Sequence, residues 1–172
     1  MPSNIEIKAR SRNPGHQRAL AAAVATSPVE TFDQVDAFFA VSTGRLKLRE
    51  LGPDLGQLIH YIRQDISGPK ESTYSISVTN EPANLRAVMA AALGVIGEVR
   101  KRRTVFHVGQ TRTHFDEVER LGTFLELEVV LRPGQSPEQG TSIARSLMRD
   151  LEVAEMDCVE GAYLDLVIQS AH

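Results

Sequence analysis

Apolar and polar residues alternate with the period of a β-strand in several stretches of this chain. Asn4 to Ala9 (NIEIKA) sets Ile5, Ile7 and Ala9 on one face and Asn4, Glu6 and Lys8 on the other. Thr31 to Val41, with aromatic Phe32, Phe38 and Phe39, reads as the next strand, and Ser42-Thr43-Gly44 turns into Gly44 to Glu50 (GRLKLRE). Gly52-Pro53-Asp54 turns the chain again into Gln57 to Arg63 (QLIHYIR), and Gly68-Pro69 breaks the loop before Ser72 to Thr79 (STYSISVT). Glu98 to Val108, Gln110 to Val118 and Phe124 to Leu131 complete the strands, with Gly109 and Gly122 at the bends.

Helical stretches interrupt this series. Pro14 and Gly15 open an alanine-rich helix to about Ser27, stopped by Pro28. Pro82 to Leu93 is expected to be helical, with Asn80 as its cap and Gly94 closing it. Ser136, followed by Pro137 and Glu138, caps a helix through about Leu151. Gly161 to Gln169 fits a short helix or a final strand equally well. Many short strands joined by turns, with helices inserted, predict an α+β fold: an antiparallel sheet closed into a barrel with helices outside.

The ionic residues give this pattern its meaning. In GRLKLRE, Arg45, Lys47 and Arg49 share one strand face and Leu46 and Leu48 the other. Three like charges on one face repel and resist burial unless that face is wet or holds a polyanion. The row recurs. Lys101, Arg103 and Val105 share a face; so do Arg112, His114 and Asp116; so do Glu126 and Glu128; and Arg63 continues the polar face of Tyr61. If all these faces point inward, Lys8, Arg45, Lys47, Arg49, Arg63, Lys101, Arg103 and Arg112 converge, eight of the 19 basic residues. Glu6, Asp116, Glu126 and Glu128 converge with them. If they point outward, the apolar faces build an ordinary core; in a barrel ringed by helices, leucines can pack outward instead. Cations match phosphoryl oxygens, and clustered carboxylates hold Mg²⁺ or Mn²⁺, so a polyphosphate with its metal satisfies both halves of an inward-facing lumen.

Composition narrows the class. The chain has 172 residues, 42% of them hydrophobic and 24% charged, enough for one well-packed domain spanning 1–172. A formal net charge of −3 does not attract nucleic acid or anionic membrane, and a closed interior suits a small ligand better than a nucleic acid backbone. The single cysteine, Cys158, excludes an internal disulfide and is expected to be a small buried side chain in a reducing cytoplasm. No apolar run approaches the roughly 20 residues that span a bilayer. His114 reads as a hydrogen-bonded structural residue, and Tyr61 and Phe39 as packing residues.

The motifs NIEIK, GRLKLRE, VRKRR at Val99 to Arg103, and GQTRTHFDEVERLGTFLELEVV from Gly109 to Val130 resemble the CYTH superfamily of triphosphate tunnel metalloenzymes. The last block is most similar to the bacterial class IV adenylate cyclase-type branch. The resemblance implies an eight-stranded antiparallel tunnel. It implies that Glu6 and Lys8 belong to the family signature and that Arg45, Lys47 and Arg49 bind phosphates, with Arg63 beside them. Lys101, Arg103 and Arg112 do so from another wall. Lys70, after Gly68-Pro69, would close on the ligand. Glu6, Asp116, Glu126 and Glu128 would hold Mg²⁺ or Mn²⁺, and Glu6, Lys8, Lys70 and Asp116 would act in catalysis. The first signature glutamate is Asn4 here; its carbonyl offers a ligand atom but no charge, which weakens a second metal site more than a first. The expected activity is conversion of ATP to cyclic AMP and pyrophosphate. Thiamine triphosphate or tripolyphosphate hydrolysis is the alternative, and a non-catalytic polyphosphate or nucleotide binder stands behind both. A homodimer would need a surface other than a strand edge.

Overall fold

The computed structural model describes residues 1–172. Eight strands close into an antiparallel barrel: β1 (Ser3–Arg10), β2 (Glu30–Phe39), β3 (Arg45–Gly52), β4 (Leu55–Arg63), β5 (Lys70–Thr79), β6 (Val95–Val108), β7 (Thr111–Val118) and β8 (Gly122–Val130). Their order around the wall is β1-β5-β4-β3-β2-β6-β7-β8, and β8 returns to β1 with Glu6 opposite Glu128 and Lys8 opposite Glu126. Closure leaves no strand edge.

The apolar faces turn outward. Ile5 and Ile7 of β1 and Leu125, Leu127 and Val129 of β8 are buried outside the wall, beneath Ala21 of α1 (Pro14–Val24) and Ala144, Leu147 and Met148 of α3 (Pro137–Asp150). Gly140 of α3 fits tight against β1; a Cβ there would lie 2.6 Å from Ile5 Cγ1. On the opposite side, α2 (Pro82–Leu93) covers Ala37, Phe39 and Leu48 with Leu85, Met89 and Ala90. The hydrophobic core is thus a sleeve between wall and helices, and the helices are what permit a polar interior.

The segment that sequence left undecided is a helix, α4 (Tyr163–Ser170), and it closes one end of the barrel. Tyr163 and Leu164 pack with Phe38, Val99, Val118 and Phe124. Gly97 makes room for this plug, since a Cβ there would collide with Leu164 Cδ1 at 2.3 Å. Other boundaries shift by a few residues. Asn80 is not the cap of α2: the N-cap is Glu81, whose N–H donates to Thr79 Oγ1 at 3.1 Å. Ser136 does cap α3, in a reciprocal pair with Gln139. No helix is long and apolar enough to cross a membrane.

Candidate functional site: a charged tunnel

The inner face of the barrel lines a cavity of about 370 Å³. Seven cations face it: Lys8, Lys47, Arg49, Arg63, Lys101, Arg103 and Arg112. Glu6, Glu30, Asp36, Glu126 and Glu128 line it too. Ion pairing makes this density tolerable. Arg63 Nη1 donates to Glu6 Oε2 at 2.7 Å, and Arg112 Nε to Glu128 Oε2 at 2.9 Å. Lys47 Nζ and Arg49 Nε share Asp36, each at 3.0 Å. Lys8 Nζ lies 3.7 Å from Glu126 Oε2 and donates to the Gly161 carbonyl at 3.2 Å.

Beneath the cavity floor is a second, drier network. Asp116, fully buried, accepts from Arg103 Nε at 2.7 Å and Nη2 at 2.6 Å, from Lys101 Nζ at 3.2 Å and from the Tyr163 hydroxyl at 2.9 Å. The Tyr163 ring also lies 4.1 Å from Lys8 Nζ and 4.6 Å from Lys101 Nζ, so its face supports both ammonium groups. Burial alone would raise the Asp116 carboxyl, but Arg103 and Lys101 together hold it well below the usual carboxylate range. Asp36 behaves likewise: burial is outweighed by Arg49, Lys47 and Lys101.

Side chains able to hold a metal ion gather on β7 and β8. One donor atom each from His114, Glu126 and Glu128 lie within 4.8 Å of one another. Burial, with Arg103 nearby, pushes the His114 imidazolium down against the pull of Glu128 and Glu126, which favours the form of the ring that can offer a lone pair. Burial alone would raise Glu126 and Glu128, but Lys8 on the one and His114 and Arg112 on the other keep both below the usual range and ionised. His114 Nδ1 is 3.7 Å from Glu126 Oε1, too far for a hydrogen bond, and has no partner within the protein. Asn4 Oδ1 is also buried and unpartnered, as are Nε and Nη2 of Arg63. Leaving such groups unmade costs about 1–3 kcal/mol each. All three residues line the same cavity. An imidazole, two ionised carboxylates and an orphaned amide oxygen are a donor set that fits a divalent cation.

The structure separates three residues from the expected lumen. Arg45 sits at the plugged end, where it donates to Asp165 at 3.1 and 2.8 Å and to Asp65 at 3.0 Å. Lys70 is not in a loop: it is the buried first residue of β5, opposite Glu6, and its Nζ donates to the Ile66 carbonyl at 2.8 Å. Asp116 is spent on Arg103, Lys101 and Tyr163 and is not one of the grouped donors; Arg103 Nη2 stands between it, at 2.6 Å, and Glu126, at 3.6 Å. Conversely, His114 stands with Glu126 and Glu128, its Nδ1 without a hydrogen bond, and Asp36, which strand periodicity does not single out, joins the lining. The row Phe32, Gln34, Asp36, Phe38 carried its signal, an acid on the same face as aromatics in a strand beside GRLKLRE. Tyr163 could not be found, since nothing local ties α4 to the barrel end. Phe39 packs under α2, while Tyr61 lines the cavity. Cys158 is half-buried rather than buried, and burial pushes its thiol up, away from reactive thiolate.

The geometry has relatives. The PH1012 protein of Pyrococcus horikoshii OT3 superimposes with a TM-score of 0.82 at 22% identity, over 95% of this chain and 98% of that one. A candidate adenylate cyclase from Vibrio parahaemolyticus does so with a TM-score of 0.78 at 16% identity, over 96% and 97%. HpAC1 of Hippeastrum, an adenylyl cyclase candidate described as having a dominant triphosphatase activity, gives 0.67 at 18% identity, over 98% and 96%. At these identities the likeness is one of fold. No curated protein matches the chain by sequence. The CYTH domain pattern, however, matches residues 3–163, the whole barrel and the start of its plug, and on that ground the chain belongs to the CYTH family.

Proposed function

We propose that this protein is a divalent-metal-dependent enzyme acting on a triphosphate held inside the tunnel. One observation carries the reading. Buried donors of Arg63 without acceptors, and buried acceptors on Asn4 and His114 without donors, face one cavity. A polyanion accompanied by a cation satisfies both, and neither alone does.

Glu126, Glu128 and His114 would hold the ion, with Asn4 and Glu6 beside them. When bound, a divalent ion neutralises charge developing on phosphate oxygens. Imidazole nitrogen is a poor match for Mg²⁺ and a better one for Mn²⁺, so this donor set favours Mn²⁺. Lys8, Lys47, Arg49, Arg63, Lys101, Arg103 and Arg112 would bind the phosphoryl oxygens, arginine as a fork and lysine as a point charge. Arg63 and Arg112 are each held by one carboxylate of the ligand set, Glu6 and Glu128. Drawing those carboxylates toward a cation frees both guanidiniums for phosphate, which makes the two binding events mutually favourable.

The reaction would be displacement at phosphorus. In cyclisation the ribose 3′ oxygen attacks the α-phosphate, its proton is lost, and pyrophosphate leaves. In hydrolysis water attacks the terminal phosphate. Resemblance to the class IV cyclase branch favours the first; the triphosphatase activity described for the Hippeastrum neighbour favours the second. Incubation with ATP, thiamine triphosphate and tripolyphosphate in Mn²⁺ or Mg²⁺, with products separated, decides. Binding without turnover of any of them defeats the enzyme reading.

Two smaller effects follow. Asn4→Glu adds a charge beside the ligand set and is expected to raise Mn²⁺-dependent turnover severalfold; a non-catalytic binder would gain affinity only. Burial, with Arg49 and Lys101 close by, pushes the Lys47 ammonium down to about 8 against the pull of Asp36. Phosphate binds the protonated form, so triphosphate affinity should fall as pH rises from 7 to about 9.5. Lys8 is pushed down to about 8 as well, so Lys47→Arg, charged throughout, should make that fall shallower in calorimetric titrations without removing it; a wild-type profile flat from pH 7 to about 9.5 would refute it.

A further inference from the structure

The first turn of the plug reaches two of the cations in the cavity. Lys8 and Lys101 are buried and line the cavity where α4 closes it. Carboxylates hold them loosely. Lys8 Nζ stops 3.7 Å from Glu126 Oε2. Lys101 Nζ makes one hydrogen bond, of 3.2 Å, to an Asp116 oxygen that Arg103 Nη2 already engages at 2.6 Å. The C-terminal segment supplies the other contacts. Lys8 donates to the Gly161 carbonyl at 3.2 Å, and the Tyr163 ring centroid lies 4.1 Å from Lys8 Nζ and 4.6 Å from Lys101 Nζ. The ring is itself fixed. Its hydroxyl donates to Asp116 at 2.9 Å, and Phe124 meets it edge-on, with centroids 5.1 Å apart. The Val159 N–H, donating to the Lys8 carbonyl at 2.9 Å, ties the same segment to β1.

A lysine stem is flexible, and its ammonium settles on the nearest anion. With nothing else to hold them, Lys8 would close on Glu126 and Lys101 on Asp116, and neither would face the cavity. An aromatic face attracts an ammonium without neutralising it and without consuming all its N–H donors. Lys8 spends one of three donors on Gly161 and keeps two. An aliphatic side chain of similar size would pack with Phe38, Val99 and Phe124 but would set two buried ammonium groups against hydrocarbon. Resting on the reading of a triphosphate tunnel, we infer that Tyr163 is a positioning residue: its ring face holds Lys8 and Lys101 off their carboxylates and turned toward the phosphate that reaches the plugged end.

The test is calorimetric titration of the intact protein with tripolyphosphate in Mn²⁺, across three replacements of Tyr163. Tyr163→Phe keeps the ring and loses the hydroxyl; its affinity is expected to stay within about twofold of wild type. Tyr163→Leu loses the ring and is expected to weaken binding by about 10-fold, the scale of a desolvated cation–ring contact. The third replacement is a ring-fluorinated phenylalanine with its para position unsubstituted. It keeps the shape of phenylalanine and drains the ring face of negative charge, and it is expected to weaken binding by about fivefold. Both phenylalanine forms lack the hydroxyl and fill the same space, so their melting temperatures should agree, and an affinity difference between them is not a folding effect. That pair decides the matter even if Tyr163→Leu does not fold. The inference is overturned if the fluorinated ring binds as tightly as phenylalanine. It is also overturned if all three replacements weaken binding equally, which would assign the effect to the hydroxyl and Asp116. Wild-type protein that does not bind tripolyphosphate overturns the triphosphate reading itself.

Discussion

Asp116→Ala is expected to lower the melting temperature by on the order of 10 °C, the largest stability effect of any single side chain in the barrel. The reason is what it leaves behind. Arg103 loses both of its short bonds, Lys101 loses its counter-ion, and the Tyr163 hydroxyl that anchors the plug loses its acceptor. Removing one partner of a buried ion pair costs about 3–5 kcal/mol, because the other charge stays buried without compensation. The pH dependence has a definite sign. Asp116 has a folded-state pKa below its unfolded value, so its contribution is complete above about pH 4 and is lost as pH falls further. Asp116→Asn keeps the shape and removes that acid-side loss. Thermal melts from pH 7 down to 3 check both statements. A wild-type melting temperature in the alanine variant would remove Asp116 from its assigned position as counter-ion, and a selective loss of Mn²⁺ affinity would return it to the metal.

Glu128→Gln is expected to cut metal-dependent turnover by about 100-fold or more, with little change in melting temperature. Glu128 is 15% exposed at its side chain and keeps one well-made bond, from Arg112, that a glutamine oxygen can also accept. What the substitution removes is charge at a point where His114 and Glu126 converge. Manganese binding, followed by electron paramagnetic resonance, should weaken in parallel. Turnover unchanged in this variant would remove the β7–β8 cluster from the chemistry, whatever the tunnel binds.

These two acids each belong to a polar strand face in the sequence, Asp116 with Arg112 and His114 and Glu128 with Glu126, yet they do different things. The difference is depth. Asp116 sits opposite Phe124 and under the plug, whereas Glu128 sits opposite Glu6 and Arg112, in the open part of the lumen. Strand periodicity says which residues share a face but not how far along the barrel axis each lies, because depth depends on inter-strand register. The same limit explains Arg45 and Lys70. Arg45 belongs to the GRLKLRE row but lies at its plugged end, where Asp165 of α4 captures it. Lys70 was separated from the strands by its glycine-proline loop, and only pairing with Glu6 puts it in the wall.

By itself, the sequence determined the local facts: the strands, the residues that share each face, the three longer helices, and the mixed cationic and acidic character of the polar rows. Those follow from short-range periodicity and residue chemistry. Only the tertiary structure decided which face is inside, because either face of an alternating strand can be buried until helices cover one of them. It also decided which carboxylate neutralises which cation, that His114 joins Glu126 and Glu128, and that α4 stops one end. Each of those is a contact between residues far apart in the chain, and no local pattern encodes it.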